Sequence, residues 1–200
     1  MRKTVIFDIG NVLVFFSFPK MFRQISNLTG LSEEDVKQEI LGNSIGVRHE
    51  DGTLSDDELY GLFLAKGTKK FSRSELKEAV SDIFTENPSI YPIVHKLKSK
   101  GVQLLLLSNT CPPHIEFLKN RFSIFQEFEE EVLSFKVGAR KPDRRIYQEA
   151  VRLSGNEPGA CFYTDDIPEY VQAARSLGIQ AETYTTSEAL FENLTKVGFL

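Results

Sequence analysis

The stretch Phe7-Asp8-Ile9-Gly10-Asn11-Val12-Leu13, entered through Val5-Ile6, decides the fold. Val5-Ile6-Phe7 is a short apolar, β-prone run that stops at a carboxylate, Asp8. Two later runs are built the same way. Leu104 to Leu107 closes on Ser108-Asn109-Thr110, and Ala160-Cys161-Phe162-Tyr163 closes on Thr164-Asp165-Asp166. Runs that are apolar on both faces suit the central strands of a parallel sheet. A polar cluster and then a helical pattern follow each run. That is the βα repeat of an α/β, Rossmann-like doubly wound parallel sheet, in which sites form beyond the carboxyl ends of the strands. Weaker strands are expected near Glu131 to Ser134 and Ile179 to Thr183.

Between the first two strong strands the pattern changes. Ser32-Glu33-Glu34-Asp35, Ser55-Asp56-Asp57-Glu58 and Ser72-Arg73-Ser74-Glu75 have the spacing of helix starts with capping boxes. No convincing strand lies among them. Residues 16–88 are therefore expected to form an inserted helical cap, and residues 1–15 with 89–200 the core. The exits are Phe18-Pro19 and Asn87-Pro88, where proline discourages continuing helix.

The rest of the chain narrows the function. With 200 residues, 41% of them hydrophobic and 26% charged, it has the composition of a soluble globular protein. A net charge of −4 provides no global footprint for nucleic acid. No apolar run is long enough for a signal peptide or a membrane span. Cys111 and Cys161 form no C-x-x-C motif and are expected to be buried thiols. A cytoplasmic protein with no obligate protein partner is expected.

Four polar clusters follow strand-like runs or open helices: Asp8, Ser108-Asn109, Arg140-Lys141-Pro142-Asp143 and Asp165-Asp166. Each alone would more often be a turn or a helix cap. Together, at strand ends, they supply the parts that phosphoryl transfer needs. A carboxylate, Asp8, attacks phosphorus and forms an aspartyl-phosphate that water later hydrolyses. Mg²⁺ offsets the repulsion between carboxylate and phosphate, with Asp8, Asp166 and a backbone carbonyl near Gly10 as its natural ligands. Lys141 neutralises nucleophile and phosphate. Ser108 and neighbouring N–H groups hold the remaining phosphate oxygens.

These residues resemble the haloacid dehalogenase-like hydrolase superfamily. The motifs are Phe7 to Leu13, Leu107-Ser108-Asn109-Thr110, Gly138-Ala139-Arg140-Lys141-Pro142-Asp143 and Tyr163-Thr164-Asp165-Asp166, in that order over essentially the whole chain. The closest likeness is to a branch with F-D-x-G-N-V, which includes bacterial sugar-1-phosphate phosphatases and resembles the phosphatase domain of soluble epoxide hydrolases. The resemblance implies a Mg²⁺-dependent phosphatase for a small phosphorylated metabolite, a sugar phosphate being favoured. It implies Asp8 as nucleophile and metal ligand, the Gly10 carbonyl and Asp166 as further ligands with Asp165 beside them, and Ser108, Asn109 and Lys141 around the phosphate.

Two positions depart from the family pattern. Most phosphatases of the superfamily carry a general-acid Asp two residues after the nucleophile; here that residue is Gly10. General acid catalysis is worth about 10²–10⁴-fold, so either the leaving group is good or another group donates the proton. His49 and Glu50 are the cap candidates, though a solvated helix face is the plainer expectation for both. Tyr170 stands where the family often has Asp or Asn, and Glu169 is a possible partial substitute. Asp51-Gly52-Thr53-Leu54 looks like a first motif, but Arg48-His49-Glu50 precedes it and no strand does; a cap turn is expected. A 2-haloacid dehalogenase shares the aspartate nucleophile and also lacks the second Asp, but leaves the acidic pair unexplained. A non-catalytic phospho-ligand-binding protein leaves Asp8, Ser108, Lys141 and Asp166 unexplained. A phosphoacceptor receiver domain fails on length and on the order of its acidic residues.

Overall fold

The structure, a computed structural model, describes residues 2–200. Its seven strands are β1 (Thr4–Phe7), β2 (Val14–Phe16), β3 (Phe84–Glu86), β4 (Gln103–Ser108), β5 (Glu130–Leu133), β6 (Cys161–Asp165) and β7 (Gln180–Thr183). Five of them form a parallel sheet in the order β5-β4-β1-β6-β7. The chain leaves β1 on one side toward β4 and β5 and returns on the other toward β6 and β7. The order therefore reverses at β1, and a crevice opens at its carboxyl end between β4 and β6. Asp8, Ser108 and Asp165 stand at those three strand ends.

The period-2 alternation of the apolar runs explains why both faces of the sheet are covered. Val5, Phe7, Leu104, Leu106 and Phe162 face one way. They pack on α6 (Tyr91–Ser99), α7 (Pro112–Arg121) and α11 (Ser187–Lys196) through Leu97, Leu118 and Leu194. Ile6, Leu105, Leu107 and Tyr163 face the other way, onto α9 (Arg144–Ser154) and α10 (Pro168–Ser176) through Ile146, Ala150 and Val171. The short α8 (Ser134–Val137) follows β5.

The region between β2 and β3 holds α1 (Phe18–Thr29), α2 (Glu33–Lys37), α3 (Ile45–Glu50), α4 (Asp56–Lys66) and α5 (Arg73–Ser81). These helices bury an apolar cluster of their own around Phe22, Ile25, Phe63, Leu76 and Val80. Reciprocal capping boxes start α4 at Ser55/Glu58 and α5 at Ser72/Glu75, and Ser32 caps α2. Two sequence expectations need correction. β2 and β3 are real strands, paired antiparallel from Val14↔Glu86 to Phe16↔Phe84, and this ribbon carries the chain into and out of the helices. Pro19 also ends nothing; it lies in the first turn of α1, where its missing N–H costs no hydrogen bond. At the exit, the Asn87 side chain donates to the Val12 carbonyl at 2.7 Å, which ties the two strands of the connection together.

Asp51-Gly52-Thr53-Leu54 forms a turn, with the Asp51 carboxylate accepting from the Thr53 N–H at 2.9 Å. Gly52 has φ +79°, and a Cβ there would lie 2.7 Å from the Phe135 carbonyl. Only glycine allows this turn to press against α8. Both cysteines are free and buried. No helix among the described residues is long and apolar enough to cross a membrane.

Candidate active site

Asp8 follows β1 directly and is buried at the crevice. Its backbone N–H donates to the Thr164 carbonyl at 3.0 Å, continuing the pairing of β1 with β6 for one more residue. Lys141 reaches in from the loop before α9. Its buried Nζ donates to Asp8 Oδ1 and to Asp165 Oδ2, both at 2.6 Å, and lies 3.4 Å from the Leu107 carbonyl. Burial pushes the Asp8 carboxyl up to about 7; Lys141 opposes that and the neighbouring Asp165 charge reinforces it. Burial alone would pull the ammonium of Lys141 down, but Asp8 and Asp165 outweigh it and hold the lysine protonated.

Asp165 has donors on both oxygens. Oδ2 accepts from Lys141 and from the Tyr163 hydroxyl, and Oδ1 accepts from the Ile167 N–H at 2.8 Å. Asp166 is partly exposed, and its Oδ2 accepts from Asn11 Nδ2 at 2.9 Å. Carboxylate oxygens of Asp8, Asp165 and Asp166 lie within 4.8 Å of one another. Three carboxylates against one ammonium leave this pocket with surplus negative charge and only oxygen donors. That donor set fits a hard divalent cation of the Mg²⁺ type.

The Asn109 side chain is turned toward Lys141. Its Oδ1 accepts from the Lys141 backbone N–H at 2.8 Å and its Nδ2 donates to the Lys141 carbonyl at 3.2 Å. The side-chain amide clamps the lysine, while the residue still lines the chamber over Asp8. Ser108 Oγ makes only a 3.4 Å contact, to the Asn109 carbonyl, and remains available to a ligand. Gly10 lines the same chamber, and its carbonyl accepts no hydrogen bond among the described residues. A Cβ at Gly10 would stand 2.9 Å from the Phe16 ring, so Phe16 occupies the space a second aspartate would need.

The chamber over Asp8 encloses about 180 Å³. Besides Asp8, Gly10, Ser108, Lys141 and Asp166, it is lined by Glu50, Arg140 and Tyr170. Glu50 and His49 were both expected on a solvated face, and neither lies on one. His49 is buried with Nε2 on Asp56 Oδ1 at 2.7 Å, away from the chamber. Glu50 turns into it, where its Oε2 accepts from Arg140 Nε and Nη2 at 2.9 and 2.7 Å. Burial raises the Glu50 carboxyl above its ordinary pKa, against the pull of Arg140. The Ser134 hydroxyl holds the Glu50 backbone carbonyl, and through the Thr110 N–H at 2.9 Å it joins that point to the end of β4. Glu169 is exposed and lines no part of the chamber; Tyr170 stands there instead, its ring 5.1 Å from Lys141 Nζ.

Two working residues were not singled out from the sequence. Asn11 takes φ +55°, which asparagine tolerates better than most residues, and this turn aims its amide at Asp166. Arg140 was read only as part of a motif, yet it links the core to Glu50.

A strand-end aspartate, a lysine bridging two carboxylates and a third carboxylate at a doubly wound crevice define a hydrolase site. The family model for haloacid dehalogenase-like hydrolases matches residues 2–178, and the chain belongs to that family. It is 25% identical over 97% of its length to a phosphatase of Mycobacterium tuberculosis, covering 94% of that protein. It is 26% identical over 89% of its length to a phosphorylated carbohydrates phosphatase of Thermotoga maritima, covering 82% of it. The fold matches a HAD family enzyme of Bacteroides thetaiotaomicron, solved with magnesium and inorganic phosphate, with a TM-score of 0.81 and 21% identity. That match covers 93% of this chain and 96% of the other.

Proposed function

We propose that this hydrolase is a Mg²⁺-dependent phosphatase of a small phosphorylated metabolite, working through an aspartyl-phosphate on Asp8. The observation that carries the reading is the Lys141 ammonium lying 2.6 Å from both Asp8 and Asp165, beside Asp166. Asp8, Asp166 and the Gly10 carbonyl would hold the metal. Asp165, whose oxygens already have donors, positions Lys141. When bound, Mg²⁺ supplies charge that offsets carboxylate–phosphate repulsion.

The remaining steps fall to the chain's own groups. An Asp8 carboxylate oxygen bonds to phosphorus as the bond from phosphorus to the alcohol oxygen breaks, the electron pair leaving on that oxygen. Lys141 and the Ser108 hydroxyl stabilise the phosphoryl oxygens. Glu50 lines the chamber and its Oε1 has no protein donor among the described residues, so Glu50 is the proton donor to the alcohol. In the second step water attacks phosphorus, gives its proton to Glu50, and Asp8 is released. Residues 16–88 act as the cap that brings Glu50 over the site and helps exclude water. The two free thiols suit a reducing, cytoplasmic setting. A sugar phosphate is the alcohol class that the Thermotoga maritima relative supplies by name; the wall of the adjoining cavity favours another.

Release of inorganic phosphate from a panel of phosphomonoesters, with Mg²⁺ and with EDTA, tests the function, Asp8→Asn serving as control. Turnover that needs both Mg²⁺ and Asp8 is expected. Hydrolysis of a 2-haloacid that survives EDTA would replace this reading with a dehalogenase.

A further inference from the structure

The chamber over Asp8 continues into a second cavity of about 80 Å³, with Gly10, Phe16, Glu50, Ser108 and Asn109 lining both. Most of its apolar wall is Phe16, Phe18, Ile83, Phe84 and Leu118. Phe16 stands edge-on to Phe18 at 5.1 Å and to Phe84 at 6.5 Å, making one aromatic surface. None of these five side chains can form a hydrogen bond. The polar side chains in the lining are Glu50, Ser108, Asn109, Thr110 and His114, and three of them are engaged. His114 Nε2 sits 3.0 Å from the Val80 carbonyl, and burial holds its ring pKa down to about 4, so it is neutral near pH 7. Glu50 Oε2 is held by Arg140. Phe18 is 37% exposed, so the apolar wall reaches solvent at the cavity mouth.

We infer that this cavity receives the alcohol half of the substrate, and that this alcohol is apolar, in the first place aromatic. The inference rests on the phosphatase reading and names its substrate class. Five residues are common to both cavities, so the ester group of a phosphate over Asp8 can lie along this wall or leave by the mouth. Burying an apolar group there is favourable, and the edge-on phenyl rings offer an aromatic partner the geometry it prefers. A sugar would instead lay hydroxyls against five side chains that cannot bond them. Each such hydroxyl costs about tenfold in affinity or more. The small volume adds a limit: a ring or short branch fits, and any longer chain must leave past Phe18.

The comparison is kcat/KM for benzyl phosphate against glucose 6-phosphate. Both are esters of primary alcohols, so intrinsic leaving ability differs little and binding of the alcohol dominates. p-Nitrophenyl phosphate and acetyl phosphate report on the phosphoryl site itself. A benzyl-to-glucose ratio above about 10 is expected. Phe18→Ser, a change at a partly exposed position, and Phe84→Ser are expected to lower that ratio at least several-fold, mainly through KM. A ratio at or below one overturns the inference while leaving the phosphatase reading intact, as does a ratio that neither variant moves. No hydrolysis of any ester, p-nitrophenyl and acetyl phosphate included, overturns the phosphatase reading and this inference with it.

Discussion

Asp8 carries two burdens that conflict. As a nucleophile it must be ionised, yet burial and the neighbouring Asp165 push its carboxyl up to about 7 in the metal-free protein. Lys141 resolves part of this conflict, and a divalent cation would resolve the rest. Asp8→Asn keeps the shape and removes the nucleophile, so kcat is expected to fall by about 10³-fold or more, measured as phosphate release under saturating Mg²⁺. Glu50 is the residue on which leaving-group chemistry turns, because Gly10 has no side chain and Phe16 fills the space beside it. Glu50→Gln is expected to lower kcat/KM for alkyl phosphates by about 10²-fold. For p-nitrophenyl phosphate, whose leaving group needs no proton, the fall should be far smaller. Equal losses on both esters would show that Glu50 orients substrate and donates no proton. These roles were unevenly legible. Asp8 and Asp166 could be found because a charged residue after an apolar strand stands out, and Lys141 because it sits in the Gly138-to-Asp143 motif that opens a helix. The turn of Asn109 toward Lys141 could not, because it depends on a loop approaching from 32 residues away.

At the scale of elements, the three central strands were readable because burial on both faces demands unbroken apolar runs. β2 and β3 were not, since a three-residue strand has too short a pattern to distinguish from loop. The same limit hid the direction of α3. Its last residue, Glu50, faces the chamber because Ser134 holds its carbonyl and Arg140 its carboxylate, both from the far side of the sheet sequence. The turn immediately after α3 has to fit the same junction. Gly52→Ala would place a methyl against the Phe135 carbonyl at a backbone conformation that alanine resists. A loss of about 1–3 kcal/mol is expected, read as a lower urea midpoint with unchanged slope. Turnover should fall as well, because the strain lies two residues from Glu50. A stability loss without any change in kcat would mean that the α3 junction does not hold the site in place.

For the molecule as a whole, a separate apolar cluster fills the helical insert, and the candidate site lies where that insert meets the sheet. The insert is joined to the sheet by the β2–β3 ribbon and the Glu50–Arg140 contact. The stability of this arrangement should depend on pH through the buried charges. Asp8 has its folded pKa near 7 and an ordinary value of 3.8, so the folded protein holds this proton more tightly. Its contribution is therefore complete below about pH 4 and is lost as pH rises through 7. His114 runs the other way. Its folded pKa near 4 lies below the ordinary 6.5, so its contribution is gained as pH rises between those values. The two partly cancel at mildly acid pH, and the difference between wild type and Asp8→Asn isolates the first. In EDTA, the Tm of Asp8→Asn minus that of wild type is expected to grow from pH 5 to pH 8. Mg²⁺ should raise the wild-type Tm, more at pH 8 than at pH 5, because the cation must displace the proton that the Asp8 carboxyl holds in acid. A Tm difference that stays constant across this range would mean that Asp8 is already ionised without metal, its charge balanced by Lys141 alone.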